Sequence, residues 1–159
     1  MATIEEIKQI AIDFRNTIIV AKSRGEFFRD GFLEGFPVGC CGISSNLLGR
    51  YLVEELHVKC RYTAGKFGSH THTWLTLEDE NVIDITGDQF ILEPTFSSSN
   101  IQPVYVGPLD DFHKLFAIYK QSELCEEEWR VDSLGTSGWS RKNLETYQLI
   151  LGYLNNRFK

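Results

Sequence analysis

The 159-residue sequence predicts an α+β fold, with helices at both ends and a mostly antiparallel sheet between them. Two observations support this prediction. Apolar residues recur at helical spacing near both ends of the chain, and in the middle the period changes to that of strands joined by short polar connections. The length and the absence of sequence repeats indicate a single domain over residues 1–159.

The first helix is predicted to begin at Ile4 and to end near Gly25. Thr3 and Glu6 form a capping-box pattern, in which each side chain bonds to the other residue's main chain. Apolar residues then follow at helical spacing, and a glycine is a typical helix stop. The apolar stripe comprises Ile4, Ile7, Ile10, Ala11, Phe14 and Ile18.

A second helix is predicted to begin at Cys40 or Cys41 and to run to about His57. It follows a segment rich in glycine and phenylalanine, residues 26–39, which has no regular period and is predicted as a loop. The buried stripe of this helix is expected to comprise Leu47, Leu48, Tyr51, Leu52 and Leu56.

Three strands are predicted next, over Val58–Ala64, His70–Leu77 and Asn81–Thr86. The last two are joined by the tight polar connection Glu78–Glu80. A short edge strand is predicted over Pro103–Val106.

The remaining segments are predicted as loops and helices. Residues 93–100 and 134–139 are expected to be loops, and Asp110–Gln121 has a helical pattern. Ser140 is expected to cap a final helix that runs to about Phe158. The apolar face of this helix is predicted to comprise Leu144, Tyr147, Leu151 and Leu154.

The charge and the cysteine content exclude some classes of function. The formal net charge is −6, and no basic stripe is present, which argues against nucleic-acid binding. No apolar run approaches the ~20 residues of a membrane span. The four cysteines and the lack of a signal-peptide pattern favour a cytoplasmic protein, with leaderless secretion as an alternative.

The segment around Cys40 and Cys41 has the features of a nucleophile site. A thiol attacks a carbonyl as thiolate, and both a helix N-terminus and a nearby imidazole favour that form. Pro37 interrupts the preceding structure, and glycines flank the two cysteines at the predicted start of the second helix. Cys41 would lie in the first helical turn, but the local chemistry alone leaves Cys40 open.

His72 and Asp84 are the predicted base and its orienting acid. In a strand, His70, His72 and Trp74 share one face, whereas Leu75 points to the core. If a three-residue loop pairs Leu77 with Asn81, Asp84 becomes the diagonal neighbour of His72 on the same face. A loop one residue longer or shorter would turn Asp84 to the opposite face.

Three elements resemble those of transglutaminase-like cysteine enzymes, in the same order. Gly39 to Cys41, followed by the small Ser45, resembles the nucleophile segment of that family. His72-Thr73-Trp74 resembles its His-x-Trp element, and Asp84-Ile85-Thr86 its Asp-x-Thr element. The resemblance covers roughly residues 36–90.

The resemblance implies a papain-like core, with the catalytic cysteine at a helix N-terminus packed on the sheet. It favours Cys41 over Cys40 and assigns Cys41, His72 and Asp84 as the triad. The implied reaction is acyl transfer through a thioester: hydrolysis, deamidation or transamidation of an amide bond in a protein, a peptide or a small molecule. We expect no cofactor, no metal and no calcium dependence.

Other residues are candidates for supporting or alternative roles. Gln89 is expected to hydrogen-bond the site or to help form an oxyanion hole, and Trp74 to shield the His–Asp pair or simply to fill the core. His70 is expected to be exposed or to face the substrate. His57 and His113 lack a supporting context and are predicted to lie at the surface or at an interface.

Two rival functions follow from the same residues. The chain could be a binding module that keeps the fold without competent catalytic geometry. It could also be a zinc-binding interaction domain that uses His70, His72 and a cysteine.

Overall fold

A computed structural model describes residues 2–29, 33–124 and 141–156, and within them the chain is an α+β protein. The helices are α1 (Ile4–Ser23), α2 (Cys41–Leu56), the short α3 (Asp111–Lys114) and α4 (Arg141–Asn156). The strands are β1 (Cys60–Phe67), β2 (His70–Leu77), β3 (Val82–Asp84), β4 (Tyr105–Gly107) and β5 (Ala117–Gln121). Two 3-10 helices cover Gly87–Phe90 and Pro94–Phe96.

The five strands form one antiparallel sheet in the order β4-β3-β2-β1-β5. β2 is therefore central, and β4 is an edge strand as predicted. Sequential strands from β1 to β4 are neighbours, which is the usual result of short connections.

One face of the sheet packs on the helices through a largely aliphatic core. Alternate strand residues such as Tyr62, Leu75 and Ile83 point to this face, which packs against α1 and α2, and α4 packs on α1. The predicted division of β2, with Leu75 and Leu77 toward the core, is confirmed. The buried stripe of α2 includes Leu47, Leu48 and Leu52, again as predicted.

The other face of the sheet carries a second, aromatic cluster. Trp74 from β2 and Val82 from β3 lie on this face under side chains from the following loops. These side chains are Phe90, Phe96, Phe112 and Phe116. The sheet is therefore covered on both faces, and His72 lies beneath the aromatic cover.

The helix ends follow the capping signals. The Thr3 hydroxyl accepts a bond from the Glu6 main chain, and the Glu6 carboxylate accepts one from the Thr3 main chain, so the capping box is confirmed. α2 begins at Cys41, and His57 closes it in the left-handed conformation. His57 is exposed, as predicted.

Two predictions about the later part of the chain are wrong. The helix predicted over Asp110–Gln121 is a single turn, α3, followed by strand β5. The spacing of Phe112 and Phe116 imitates a helix, but pairing with β1 draws the following residues into the sheet.

Leu144 is the second wrong prediction. It is 41% exposed, because the buried face of α4 runs instead through Thr146, Tyr147, Ile150 and Leu154. The predicted cap Ser140, the helix end at Phe158 and the loop 134–139 lie outside the described residues.

Within the described ranges, no helix combines the length and the apolar character needed to cross a membrane.

Candidate active site

Cys41 is the first residue of α2, the position that the sequence predicts for a nucleophile. Gly39 has a φ of +70°, so the chain turns into the helix through a backbone conformation that L side chains rarely adopt. Cys40 is the N-cap. The first-turn N–H groups of a helix, together with its dipole, favour a negative charge on the Cys41 sulfur.

The neighbouring Cys40 is placed differently. Its side chain is 1% exposed, and its thiol donates a hydrogen bond to the main-chain oxygen of Val38 at 3.3 Å. Cys41 is partly exposed and hydrogen-bonds to His72. The geometry therefore favours Cys41 as the nucleophile.

The hairpin between β2 and β3 decides the position of Asp84. The main-chain N–H of Leu77 donates to the Asn81 oxygen at 2.7 Å, and Glu80 in the loop has a φ of 71°. This is the three-residue connection that the triad requires, and the pairing of Leu75 with Ile83 has the same register. Asp84 consequently faces the same side of the sheet as His72.

His72 links the thiol to the carboxylate. Its Nε2 lies 2.6 Å from Oδ2 of Asp84, and both side chains are buried, at 0% and 2% exposure. Because Nε2 faces Asp84, Nδ1 is the ring nitrogen left to interact with Cys41, and it also lies 3.1 Å from Nε2 of Gln89. His72 therefore couples the Cys41 thiol electrostatically to the Asp84 carboxylate.

The charges and hydrogen bonds around Cys41 and His72 favour a thiolate–imidazolium pair. Burial opposes ionisation of Cys41, but the hydrogen bond and charge of His72, with hydrogen bonds from Thr73, hold the pKa of the thiol below its ordinary value. Burial likewise opposes a charge on His72, but Asp84 and then Cys41 raise its pKa to about 9. The two shifts have opposite directions, as expected for an ion pair.

Groups besides His72 also keep Asp84 ionised as a carboxylate. Burial alone would raise its pKa, but His72 and His113 together hold it far below the usual range. Oδ1 accepts a hydrogen bond from the Thr86 main chain at 2.9 Å. Thr86 therefore fixes the carboxylate while Oδ2 faces the imidazoles.

His113 is the site residue that sequence reasoning missed. The prediction that it lies at the surface is wrong: it is 2% exposed, and its Nε2 lies 2.7 Å from Oδ2 of Asp84. Its Nδ1 lies 2.5 Å from Oδ1 of Asp110. The Asp-x-x-His spacing indicates the local contact with Asp110, but no sequence signal indicates the contact with Asp84, 29 residues away.

Gln89 reaches the site from the 3-10 helix after β3. Its Nε2 lies 3.1 Å from Nδ1 of His72 and donates to that nitrogen when the ring is neutral, whereas beside the imidazolium the amide must present Oε1 instead. The predicted contact between Gln89 and the site is therefore present. The buried Arg15 of α1 holds this helix in place through a two-bond ion pair with Asp88, at 2.7 and 2.9 Å. Arg15 also donates to the main-chain oxygen of Ile85 at 2.6 Å.

Aromatic rings seal the rest of the site. Trp74 is 1% exposed and lies against both imidazoles, with ring centroids 5.7 Å from His72 and 4.9 Å from His113. It therefore fills the core and shields the site at once. His70 is only partly exposed, and its ring packs against Phe90 and Phe96.

Three of these residues could in principle share a metal ion, since the ligand atoms of His72, Asp84 and His113 lie within 4.8 Å of one another. Two ligands of a tetrahedral zinc ion with bonds of 2.0–2.1 Å would be ~3.3 Å apart. The observed N···O separations of 2.6 and 2.7 Å are shorter and have the length of charge-assisted hydrogen bonds. The cluster therefore fits a protonated network better than a metal centre.

Comparison with protein-family models, with curated proteins and with solved structures gave no match to this chain. The chemical interpretation of the site rests on its own geometry.

Proposed function

We propose that the chain is a cysteine-dependent acyl-transfer enzyme with Cys41 as nucleophile, His72 as acid and base, and Asp84 as orienting acid. The observation that carries this proposal is the Cys41 thiol at the start of α2, whose pKa is lowered by the buried pair of His72 and Asp84. A transglutaminase-like, papain-like core is part of the proposal, and the position of Cys41 at the start of a helix on an antiparallel sheet supports it.

In the first half of the reaction, the Cys41 thiolate attacks the carbonyl carbon of an amide. The new S–C bond forms as the carbonyl electron pair moves to oxygen, and the C–N bond then breaks as that pair returns. Nδ1–H of His72 gives its proton to the departing nitrogen. The products of this half are an acyl thioester on Cys41 and a free amine or ammonia.

In the second half, water or an amine attacks the thioester. Neutral His72 accepts a proton from the attacking group, the S–C bond breaks, and the thiolate returns beside the imidazolium. With water the net reaction is hydrolysis or deamidation, and with an amine it is transamidation.

The developing oxyanion requires hydrogen-bond donors. The first-turn N–H groups of α2 are one source, because Cys41 is the first helical residue. Gln89 is the second, since its amide lies 3.1 Å from Nδ1 of His72. This contact supports the oxyanion-hole role proposed for Gln89.

The geometry favours catalysis over a non-catalytic binding module. A binding module would not need a thiol of lowered pKa in contact with a buried His–Asp pair, and strongly perturbed groups concentrate at catalytic sites. The zinc-binding alternative needs His70 beside His72, but the His70 ring is packed into the aromatic cluster.

Alkylation by iodoacetamide at pH 5 tests the proposal without a known substrate. At this pH ordinary thiols, with a pKa near 8.5, are almost fully protonated and react slowly. Cys41 is expected to react at least about 100-fold faster than a cysteine in a denatured control, and mass spectrometry of peptides locates the label.

The matched control is the adjacent cysteine. Cys41→Ala is expected to abolish labelling at pH 5, whereas Cys40→Ala, which shortens a buried side chain, is expected to keep it. Labelling that persists at Cys40 in the Cys41→Ala variant would show that the nucleophile is assigned wrongly.

A further inference from the structure

His113 has both ring nitrogens directed at carboxylates. Nε2 faces Asp84 at 2.7 Å, and Nδ1 faces Asp110 at 2.5 Å. A neutral imidazole has one donor nitrogen and one acceptor nitrogen, so it would leave a lone pair against one of these carboxylates. Only the imidazolium donates to both. Because the pKa values of Asp84 and Asp110 both lie below the ordinary value, the two carboxyls are ionised, and this geometry indicates that His113 is a buried cation.

The other groups around His113 are compatible with that charge. From β2, Trp74 meets it edge to face at 4.9 Å, and the His72 ring is stacked 6.0 Å away. From β4, the Tyr105 ring is stacked at 5.6 Å, and its hydroxyl is committed to the Pro108 oxygen. Among the described groups in contact with His113, the anions are therefore the carboxylates of Asp84 and Asp110.

Asp84 thus serves two imidazolium rings through one oxygen atom. His72 and His113 both approach Oδ2, while Thr86 occupies Oδ1. The positive charge of each ring partly cancels the negative potential that Asp84 produces at the other ring. With His113 charged, His72 is a stronger acid than it would be with Asp84 to itself.

We propose that His113, held as an imidazolium between Asp84 and Asp110, is a positioning residue that orients the triad carboxylate and increases the acidity of His72. This proposal rests on the proposed function, because the acidity of His72 matters at the step in which Nδ1–H protonates the departing amine. His113 does not touch the reacting atoms and acts through Asp84.

Two substitutions separate the charge of His113 from its hydrogen bond. His113→Gln places an amide N–H near the position of Nε2, so it keeps a donor to Asp84 while it removes the charge. Asp110→Asn removes the second carboxylate but keeps a good helix cap, because Asp110 caps α3 by accepting from the His113 main chain and asparagine does the same. His113→Phe removes both charge and donor and serves as the structural comparison.

Histidine NMR provides the measurement, since the chain contains four histidines. In protein labelled at the imidazole carbons, His113 is expected to remain an imidazolium at pH 7. In His113→Gln, the titration midpoint of His72 is expected to rise by about one pH unit, from the lost charge about 6 Å away. In Asp110→Asn, His113 is expected to lose its proton at lower pH than in the unaltered protein.

Specific outcomes overturn the proposal. A neutral His113 at pH 7, or an unchanged His72 midpoint in His113→Gln, would contradict it. Should His113→Gln fail to fold, Asp110→Asn decides the matter: an unchanged His113 midpoint there contradicts the proposal. Labelling of Cys41 at pH 5 tests the proposed function separately, so fast labelling with unchanged midpoints rejects the role of His113 and leaves the triad intact.

Discussion

The two faces of the central sheet are built from different side chains. The face toward α1, α2 and α4 is mostly aliphatic, with Leu75 and Ile83 fully buried. The opposite face carries His72, Asp84 and Trp74 beneath a cover of phenylalanines from the loops. The same two strands, β2 and β3, therefore supply a packed core on one side and a charged network on the other.

This difference indicates how the molecule isolates its charges. Buried charged groups are costly unless they are paired, and here each one has a partner within hydrogen-bond distance. The aromatic cover lowers the effective dielectric around the network, which strengthens each pairing. Damage to the helical face should lower stability alone, and damage to the charged face should lower both stability and thiol reactivity.

The largest effect is expected from Asp84→Asn. It leaves two buried imidazoles without their shared anion, so unfolding free energy is expected to fall by about 3–5 kcal/mol, measured by urea denaturation. Labelling of Cys41 at pH 5 is expected to slow by about 100-fold or more, since His72 loses the group that keeps it charged. Glu78→Gln, at an exposed position of the same hairpin, is the control and should change neither quantity.

Leu75→Ala tests the helical face. Leu75 is fully buried, and its truncation is expected to lower the unfolding free energy by about 3 kcal/mol through lost contacts and the cavity that remains. The rate of Cys41 labelling at pH 5 should stay within about twofold of the original in the folded protein. A large loss of labelling would show that the two faces are not independent.

Gly65→Ala probes the packing of the charged face. Gly65 pairs with His72 across the sheet, and an added Cβ would lie 2.7 Å from Cβ of Phe116 and 3.1 Å from the Trp74 ring. The substitution is expected to lower the free energy of unfolding by about 1–3 kcal/mol and to slow labelling of Cys41. Gly152→Ala in α4, where a Cβ meets nothing within 4 Å, should instead stabilise by about 0.5–1 kcal/mol.

The smallest expected effect is a change in the pH dependence of stability. The pKa of His72 is raised to about 9 in the folded chain, so its contribution is fully present below the unfolded value near 6.5 and is lost as pH rises through about 9. The lowered pKa of Cys41 acts in the opposite direction over part of this range. Cys41→Ala removes this opposition.

The stability of Cys41→Ala is therefore expected to fall more steeply between pH 7 and 8.5 than that of the original chain. The additional slope is at most about 1.4 kcal/mol per pH unit for one proton. Urea denaturation at several pH values measures it. An unfolding free energy of the variant that rises between pH 7 and 8.5 would contradict the raised pKa of His72.

Local chemistry in the sequence determined most of the framework. The capping box located the start of α1, and alternation in β2 separated His72 and Trp74 from Leu75. These features depend on neighbours a few residues apart, which periodicity and turn rules describe well. The register of Asp84 was predicted only on the condition of a three-residue connection, which the structure shows. The choice of Cys41, His72 and Asp84 as the proposed triad also relied on a family resemblance.

The tertiary structure decided what depends on distant neighbours. Asp110–Gln121 has a helical pattern, yet pairing with β1 converts its second half into β5. Because the helix stops after the single turn α3, His113 lies against the sheet, where it and His72 both contact Oδ2 of Asp84. A histidine's environment is set by the groups that fold against it, and a contact between residues 29 positions apart has no local periodicity to indicate it. The sequence alone therefore predicted the three residues of the proposed triad, and only the fold placed a second imidazole and a second carboxylate beside Asp84.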